Sequence, residues 1–593
     1  MVEDSKVDLV VVGAGWYGLM TAKTYRDVNP SANVVILDVS PTIGGVWAKH
    51  HLYPGLKTNN MLGTYEYSDF PMSGVNSFGV KPGEHIPGDV VHSYLKKFAQ
   101  TFGIYDQCRF GEKLETATKI ISDKDEERGW LLAIQRGDAS YTLRTRRLVM
   151  ATGLHSTPFL PKFVGAADSN MDIIHCSDLL QHSEKLFANS KNVAVFGGTK
   201  SAWDAAYTFA SKGIHVDMII RESGRGPCWM SPPYVTPLKK WLEKLVSTRF
   251  LTWLSPCVWG DADGFGGIRG LLHGTAAGRK LVNGFWGVLG NDVITSNEYD
   301  KHPETAKLKP WVDAFWVATG LSILNYPSNF FDFVKEGKIT VHVAEISKLS
   351  QKSIHLTSTK EGDSIITVDA LLCATGFQFI PSVKFLSENG EPIDASTVGL
   401  PHHADSDNDL MDEIDKEILT RFPRLKDQPT LNPALKPLRD INGAKELNRP
   451  YVLYRFMVPP AFINDRSIGF AGSLQSICTP LIAQSQALWL TAYFGQKLKV
   501  NTDDEAKVKR EAILHARFGK WRCPGGSGSL WPDFVFDSIP YVDLLLADLG
   551  LSGRRKGGMI KECFEPYGTG DYLGLVEEWK RTIDEGRTSV VMV

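Results

Sequence analysis

An α/β fold of two parallel-sheet units, the second interrupting the first, is what the 593-residue sequence predicts. Three observations predict it. "VDLVVVGAGWYGLM" begins as a continuous apolar run, as a buried parallel strand does, and breaks at Gly13 into a glycine turn and a helix-like stretch. The same strand, glycine turn, helix and strand return from Val193. Two hydrophobic strands ending in A-T-G, within 148–161 and 369–381, fall where a chain would pass between two such units. The reading is two Rossmann-like dinucleotide-binding domains. The first comprises 1–186 and 369–593; the second, inserted in it, is 187–368.

In the first unit Gly13, Gly15 and Gly18 form an intact G-x-G-x-x-G. Gly13 allows the tight turn, Gly15 a close backbone approach to a pyrophosphate, and Gly18 close packing of helix on strand. The helix start offers unpaired N–H groups to phosphate. The next strand, "NVVILD", ends at Asp38, 25 residues after Gly13. An acid there binds ribose hydroxyls and repels a 2'-phosphate, which favours FAD or NAD. "PTIGGVW" (41–47) follows, where Gly44 and Gly45 let the chain pass close to a bulky cofactor.

In the second unit the turn "VAVFGGTKSAWDAA" (193–206) departs from the fingerprint. Thr199 and Ala202 stand at the second and third glycine positions, after Gly197. Ala is tolerated at the third. Thr199 puts a Cβ towards the pyrophosphate, and Gly198 is expected to restore backbone freedom, with Lys200 adding a charge contact. The following strand ends at Arg221, 24 residues after Gly197, with Arg225 close behind. A base where the first unit has an acid accommodates a 2'-phosphate, so this turn is read as a modified NADPH site.

The remaining sequence sets bounds. A formal charge of -2 gives no sign of nucleic acid as a partner. The eight cysteines lie apart, with no C-x-x-C and no Cys/His cluster of zinc spacing, which reads as reduced thiols and argues against a disulfide reductase. The N-terminus lacks signal-peptide anatomy and no apolar run is long enough to span a bilayer, so a cytoplasmic protein is expected. "WLEKLVSTRFLTWLSPCVW" (241–259) is apolar but carries Glu243, Lys244 and Arg249. It is read as a helix covering a cleft, with a seat on a membrane surface as the alternative. It belongs to a Trp-, Gly- and Pro-rich stretch, about 222–310, read as an inserted helical subdomain that sets substrate choice. Gly153 and Gly376 are expected to approach the cofactors closely.

Several motifs together resemble the flavin-containing monooxygenases, and the resemblance covers most of the chain. Gly44, Gly45 and Trp47 match that family's G-G-x-W step. "LKTNNMLGTYEYSDFPM" (56–72) matches its T-N…D-F-P segment, through Asn59 and Asp69-Phe70-Pro71. Ser201 and Asp204 match its second turn, whereas Thr199 does not. Residues 456–494 resemble its last flavin-domain strand and helix, with Gln475 near the flavin, and 537–551 resemble a terminal helix. Its F-x-G-x-x-x-H fingerprint is stretched: nine residues separate Gly165 from His175, which leaves His175 either structural or functional at the domain junction. Length and inserts look most like fungal secondary-metabolism members.

The resemblance implies an FAD enzyme reduced by NADPH that uses O2, through a flavin C4a-(hydro)peroxide, to oxygenate an organic small molecule. Asn59 is its catalytic candidate, holding the oxygen adduct and the nicotinamide ribose. The candidate cofactor-binding residues are Gly13, Gly15, Gly18, Asp38, Gly44, Gly45, Val46, Trp47, Asn59, Leu114, Thr152, Gly153, Gly197, Gly198, Thr199, Lys200, Ser201, Arg221, Thr375, Gly376 and Gln475. Ketone-inserting relatives usually place an Asp in the step after G-G-x-W and keep the strict histidine fingerprint. This chain has Thr58-Asn59-Asn60 and the stretched spacing, so heteroatom or electron-rich ring oxygenation is expected, with ketone (Baeyer-Villiger) oxygenation as the alternative. A flavin dehydrogenase or oxidase, or a non-catalytic nucleotide-bound module, are the further alternatives.

Overall fold

A computed structural model of the chain describes residues 2–591 except 75–76, 123, 125–126, 237–238, 318–319, 430–434, 437, 439–446, 524–527 and 529. The A-T-G-like "WVATG" at 316–320, read as a coincidence, lies partly outside the described residues.

Two sheets organise the molecule. In the larger, Val2–Val12 lies between Val34–Asp38 and Ala139–Met150, all parallel, and Cys108–Phe110 extends the far side of Val34–Asp38. Gly129–Arg136 and Glu112–Ile120 continue the sheet antiparallel, and the short strand Ile468–Phe470 returns from the far end of the chain to pair with Ala139–Met150. Leu9, Val10 and Val11 are fully buried, as a strand covered on both faces requires. Against this sheet the helix Trp16–Val28 packs on Thr479–Phe494, a helix buried on every side.

The second sheet is five parallel strands in the order Asp172–His175, Ala370–Cys373, Asn192–Phe196, His215–Ile220, Ile339–Val343. The expected cuts at 186/187 and 368/369 therefore fall inside this unit. The strand arriving from the first crossover and the strand leaving for the second both pair here, and sequence position alone does not reveal which sheet completes them.

Between Ile220 and Ile339 the chain makes its long excursion. Trp229–Ser231 pairs with Leu321–Ile323 and pinches the base, so the insertion closes near 323 rather than 310. Within it stand the helices Leu242–Val246, Arg249–Trp253, Gly266–Gly274 and Ala276–Ser296. It is not a separate subdomain. Trp259 lies 5.1 Å from Phe534 and 5.3 Å from Phe456, and Trp286 lies 4.7 Å from Phe536, all in one core shared with the first unit. Truncating either tryptophan to alanine should cost about 3–5 kcal/mol. Arg249, wholly buried, donates to Asp543 at 2.6 Å. The segment 241–259 is thus folded as two short helices whose apolar side chains Leu242, Val246 and Leu251 face protein. Among the described residues no helix is long and apolar enough to cross a membrane.

Candidate functional site: two nucleotide turns and the strand between them

The first turn is shaped by collisions that only glycine avoids. A Cβ on Gly13, where φ is +117°, would lie 2.4 Å from the Ala151 carbonyl oxygen, and one on Gly18 would lie 1.8 Å from that of Gly13. Gly15, at the N-cap of Trp16–Val28, has no side chain to cap the helix, and faces Gly45: a Cβ on Gly45 would come within 3.2 Å of Gly15 Cα. The Gly44 N–H donates to the Ala14 carbonyl at 2.9 Å, fastening the 44–47 step to the turn and leaving Val46 half exposed. Trp47 Nε1 reaches the Tyr65 hydroxyl at 3.3 Å, whose pKa burial pushes up to about 12.

Asp38 has a task beyond the expected ribose contact. One carboxylate oxygen accepts the Ala14 N–H at 2.7 Å and the other the Ser40 N–H at 2.8 Å. The acid therefore fixes the glycine turn from below, and each oxygen keeps a second lone pair. Burial raises its pKa in spite of both hydrogen bonds.

Asn59 lies on the short strand Lys57–Met61, partly exposed, and its side chain makes no hydrogen bond among the described residues. Its neighbour Asn60, which sequence reasoning passed over, is buried. The Asn60 amide donates to the Ile477 carbonyl at 3.1 Å and to the carboxylate of Glu243 in the insertion. No sequence signal marks this contact, because its partners are 183 and 417 residues away.

At the second turn Gly197 has φ +141°, and a Cβ there would lie 2.6 Å from the Ala374 carbonyl oxygen. Thr199 is the N-cap of Lys200–Ala210, yet its hydroxyl caps nothing, unlike Thr248 and Thr275 at their helices. Thr199 and Ser201 are exposed beside a helix start that no side chain closes. Two expectations need correction here. Gly198 is required by the insertion, not by missing freedom in the turn: a Cβ would lie 2.7 Å from the Gly226 carbonyl oxygen. The Lys200 ammonium is not directed at the turn. It pairs with Asp204, donates to Asn325 at 2.9 Å and sits over the Tyr326 ring, because the i,i+4 spacing puts Asp204 on the same helix face. Asp204 also accepts from Tyr53 at 2.9 Å, joining this helix to the chain just before Asn59. Arg221 is the first residue after the strand His215–Ile220, partly exposed, with Nη2 donating to the Lys436 carbonyl at 2.6 Å.

The crossovers meet both turns. Gly153 and Gly376 adopt φ of +62° and +78° at the ends of their strands, beside Thr152 and Thr375. The Thr375 hydroxyl donates to the Phe159 carbonyl at 2.5 Å, stitching the two crossovers together. His175 lies at this junction, buried, within hydrogen-bond reach of the Gly376 carbonyl. The Gln475 side chain lies between Trp531, whose Nε1 donates to Oε1 at 3.0 Å, and His155. Leu114 is a buried strand residue next to a register shift, in one apolar cluster with Val12 and Leu37. Among the described residues no cluster of His, Cys, Asp or Glu suits a metal ion.

Two glycine turns whose helix starts no side chain caps, one followed by a strand that ends in an acid and one by a strand that leads into an arginine, fit the diphosphates of two different dinucleotides. The glycine-on-glycine contact at Gly15 and Gly45 lets the two backbone segments approach without a Cβ between them.

The family described as pyridine nucleotide-disulphide oxidoreductases matches residues 10–251. The "FAD-dependent monooxygenase resA" of Aspergillus sclerotiorum is 31% identical, over 96% of this chain and 98% of its own. An FAD-dependent monooxygenase of Pyrenophora dematioidea is 32% identical over 94% and 100%. Among solved structures, cyclohexanone monooxygenase from Rhodococcus sp. Phi1 bound to NADP+ superposes with a TM-score of 0.60 at 16% identity, covering 92% of this chain and 98% of that one. An oxidized steroid monooxygenase bound to NADP gives 0.56 at 15%, covering 98% of each. At those identities the structures show the fold. The chain belongs to the FAD-dependent monooxygenases.

Proposed function

We propose that this FAD-dependent monooxygenase takes its electrons from NADPH and oxygenates a heteroatom or an electron-rich ring of a small secondary metabolite. The contrast between the two turns carries the cofactor half of the reading. Asp38 is the last residue of the strand beside the first turn and Arg221 directly follows the strand beside the second, so a 2'-phosphate is repelled at one and attracted at the other. FAD, when bound, supplies the redox chemistry and the reaction with O2. The protein's own residues do the rest. The turn at Gly13–Gly18 and the step Gly44–Trp47 hold the flavin nucleotide, Thr199 and Ser201 flank the NADPH diphosphate, and Arg221 takes the 2'-phosphate.

Asn59 is the residue assigned to the reacting atoms. It is an amide where ketone-inserting relatives usually carry an acid, and its hydrogen-bonding groups are uncommitted among the described residues. A neutral donor there suits oxygen transfer to a soft nucleophile. The names of the fungal relatives agree with a role in secondary metabolism but do not set the substrate.

The test is to mix the flavin-loaded protein anaerobically with NADPH, and separately with NADH, while following flavin bleaching, and then to admit O2 with sulfide, amine, phenol or ketone probes. Fast bleaching by NADPH and product from the first three classes is expected. Turnover of ketones alone would replace this reading with oxygen insertion beside a carbonyl. For Asn59→Ala, bleaching within about twofold of wild type and a larger share of NADPH lost as hydrogen peroxide are expected.

A further inference from the structure

A buried acid in the insertion reaches the strand that carries Asn59. Glu243 opens the helix Leu242–Val246 and is only 8% exposed. Its Oε2 accepts the backbone N–H of Met61 at 3.0 Å and Trp241 Nε1 at 2.8 Å. Its Oε1 accepts from the Asn60 amide and lies 3.2 Å from the Thr64 hydroxyl. Residues on both sides of the Asn60–Met61 peptide are thus held by one carboxyl group. The second proton of the Asn60 amide goes to Ile477, two residues beyond Gln475. Insertion, strand and C-terminal segment therefore meet at a single side-chain pair.

A carboxyl is a costly group to bury, and an apolar residue would fill the same space more cheaply. Its presence is explained by what it holds. Both charge states are accommodated. Three N–H donors suit the carboxylate. The acid is satisfied as well, because the Thr64 hydroxyl passes its own proton to the Met61 carbonyl at 2.8 Å and keeps a lone pair for Oε1–H. Burial pushes this carboxyl up to about 7. The charged or titratable groups around it are the Cys478 thiol and the Lys244 ammonium, which lies over the Trp241 ring.

Resting on the reading of Asn59 above, we propose that Glu243 is a positioning residue, through which the insertion fixes the strand Lys57–Met61 and so the placement of Asn59. The insertion then governs how well oxygen transfer is coupled to NADPH use, besides any contact it makes with substrate.

The experiment compares wild-type holoenzyme with Glu243→Gln and Glu243→Ala. Gln keeps the shape and the acceptor for Met61 and Trp241, but sets an amide against the Asn60 amide. Hydrogen exchange across 57–64 should rise about tenfold in the Ala variant and less in Gln, with 192–220 unchanged. In both, flavin bleaching by NADPH should stay within about twofold of wild type while the peroxide share of NADPH consumed rises about threefold or more. Unchanged exchange would overturn the clamp. Raised exchange with unchanged coupling would make Glu243 a packing residue and overturn the positioning role. A wild-type protein that NADPH does not bleach would sink the functional reading instead, and the exchange data would still decide whether Glu243 holds the strand.

Discussion

Nε2 of His175 lies 3.0 Å from the carbonyl oxygen of Gly376, and Nδ1 accepts the Ser177 N–H at 3.1 Å. The second contact places the ring proton on Nε2, which donates to Gly376. The ring is buried, and burial lowers its pKa, so the neutral form spans the two crossovers. Replacing His175 with Ala leaves the Gly376 carbonyl without that donor and opens a cavity. A loss of about 1–3 kcal/mol in stability is expected, read by denaturant unfolding of the holoenzyme, with little change in the NADPH-to-NADH ratio. A selective loss of NADPH reduction would give His175 a direct cofactor role instead.

Arg221 is expected to separate the two nicotinamide cofactors. Arg221→Ala removes a charge-assisted contact, so KM for NADPH should rise by about 10- to 150-fold, equivalent to about 1.5–3 kcal/mol. KM for NADH should move little. Stopped-flow bleaching over a range of each cofactor measures both, and equal shifts would remove the 2'-phosphate from this residue.

The Gly15–Gly45 contact predicts a flavin-binding defect with a local cause. Gly45 adopts φ +59°, and its Cβ would sit 3.2 Å from Gly15 Cα. Gly45→Ala combines left-handed strain of about 1–2 kcal/mol with that crowding, so FAD affinity should fall about tenfold. Fluorescence titration of the apoprotein checks it. Gly55→Ala has a similar positive φ but nothing within 4 Å of the new Cβ, and should bind FAD normally.

Glu243 gives a pH signature. Its folded pKa of about 7 exceeds the ordinary 4.5. The native state therefore keeps a proton that the unfolded chain has released, and the contribution to stability falls as pH rises from about 4.5 to 7, then levels off. Glu243→Gln cannot titrate. The stability of wild type relative to this variant should fall by about 2 kcal/mol between pH 5 and pH 7.5, measured by paired unfolding at the two values. A flat difference would mean that the carboxyl is ionised throughout.

What the sequence reveals depends on how local the cause is. The first turn is legible because its glycines collide with near neighbours: Gly18 meets Gly13 in the same motif. The paired turns follow from runs of apolar residues that need only their own segment to be recognised, whereas the final strand near 468–470 and the helix from Thr479 are legible through the family resemblance of 456–494. Lys200 was legible too. Its i,i+4 partner Asp204 is plain in the sequence, but the phosphate reading took precedence over the nearer acid. Gly198, Asn60 and Glu243 are of another kind. Their reasons are Gly226, Ile477 and Met61, brought close only by the finished fold. The domain cuts were misplaced for the same reason, since strand pairing is a property of the sheet.

The sharing of one core by the insertion and the last quarter of the chain also has a consequence in time. The bidentate partner of Arg249, Asp543, is made 294 residues later, and until then the guanidinium has only the longer contact to Asp263. At ~5–20 residues per second of synthesis, that interval is ~15–60 s. During it Trp259 and Trp286 have been made but lack Phe534 and Phe536, the C-terminal rings they pack on. The nascent enzyme should therefore lean on holding chaperones through its middle third, and fragments ending before the Thr479–Phe494 helix should aggregate rather than fold.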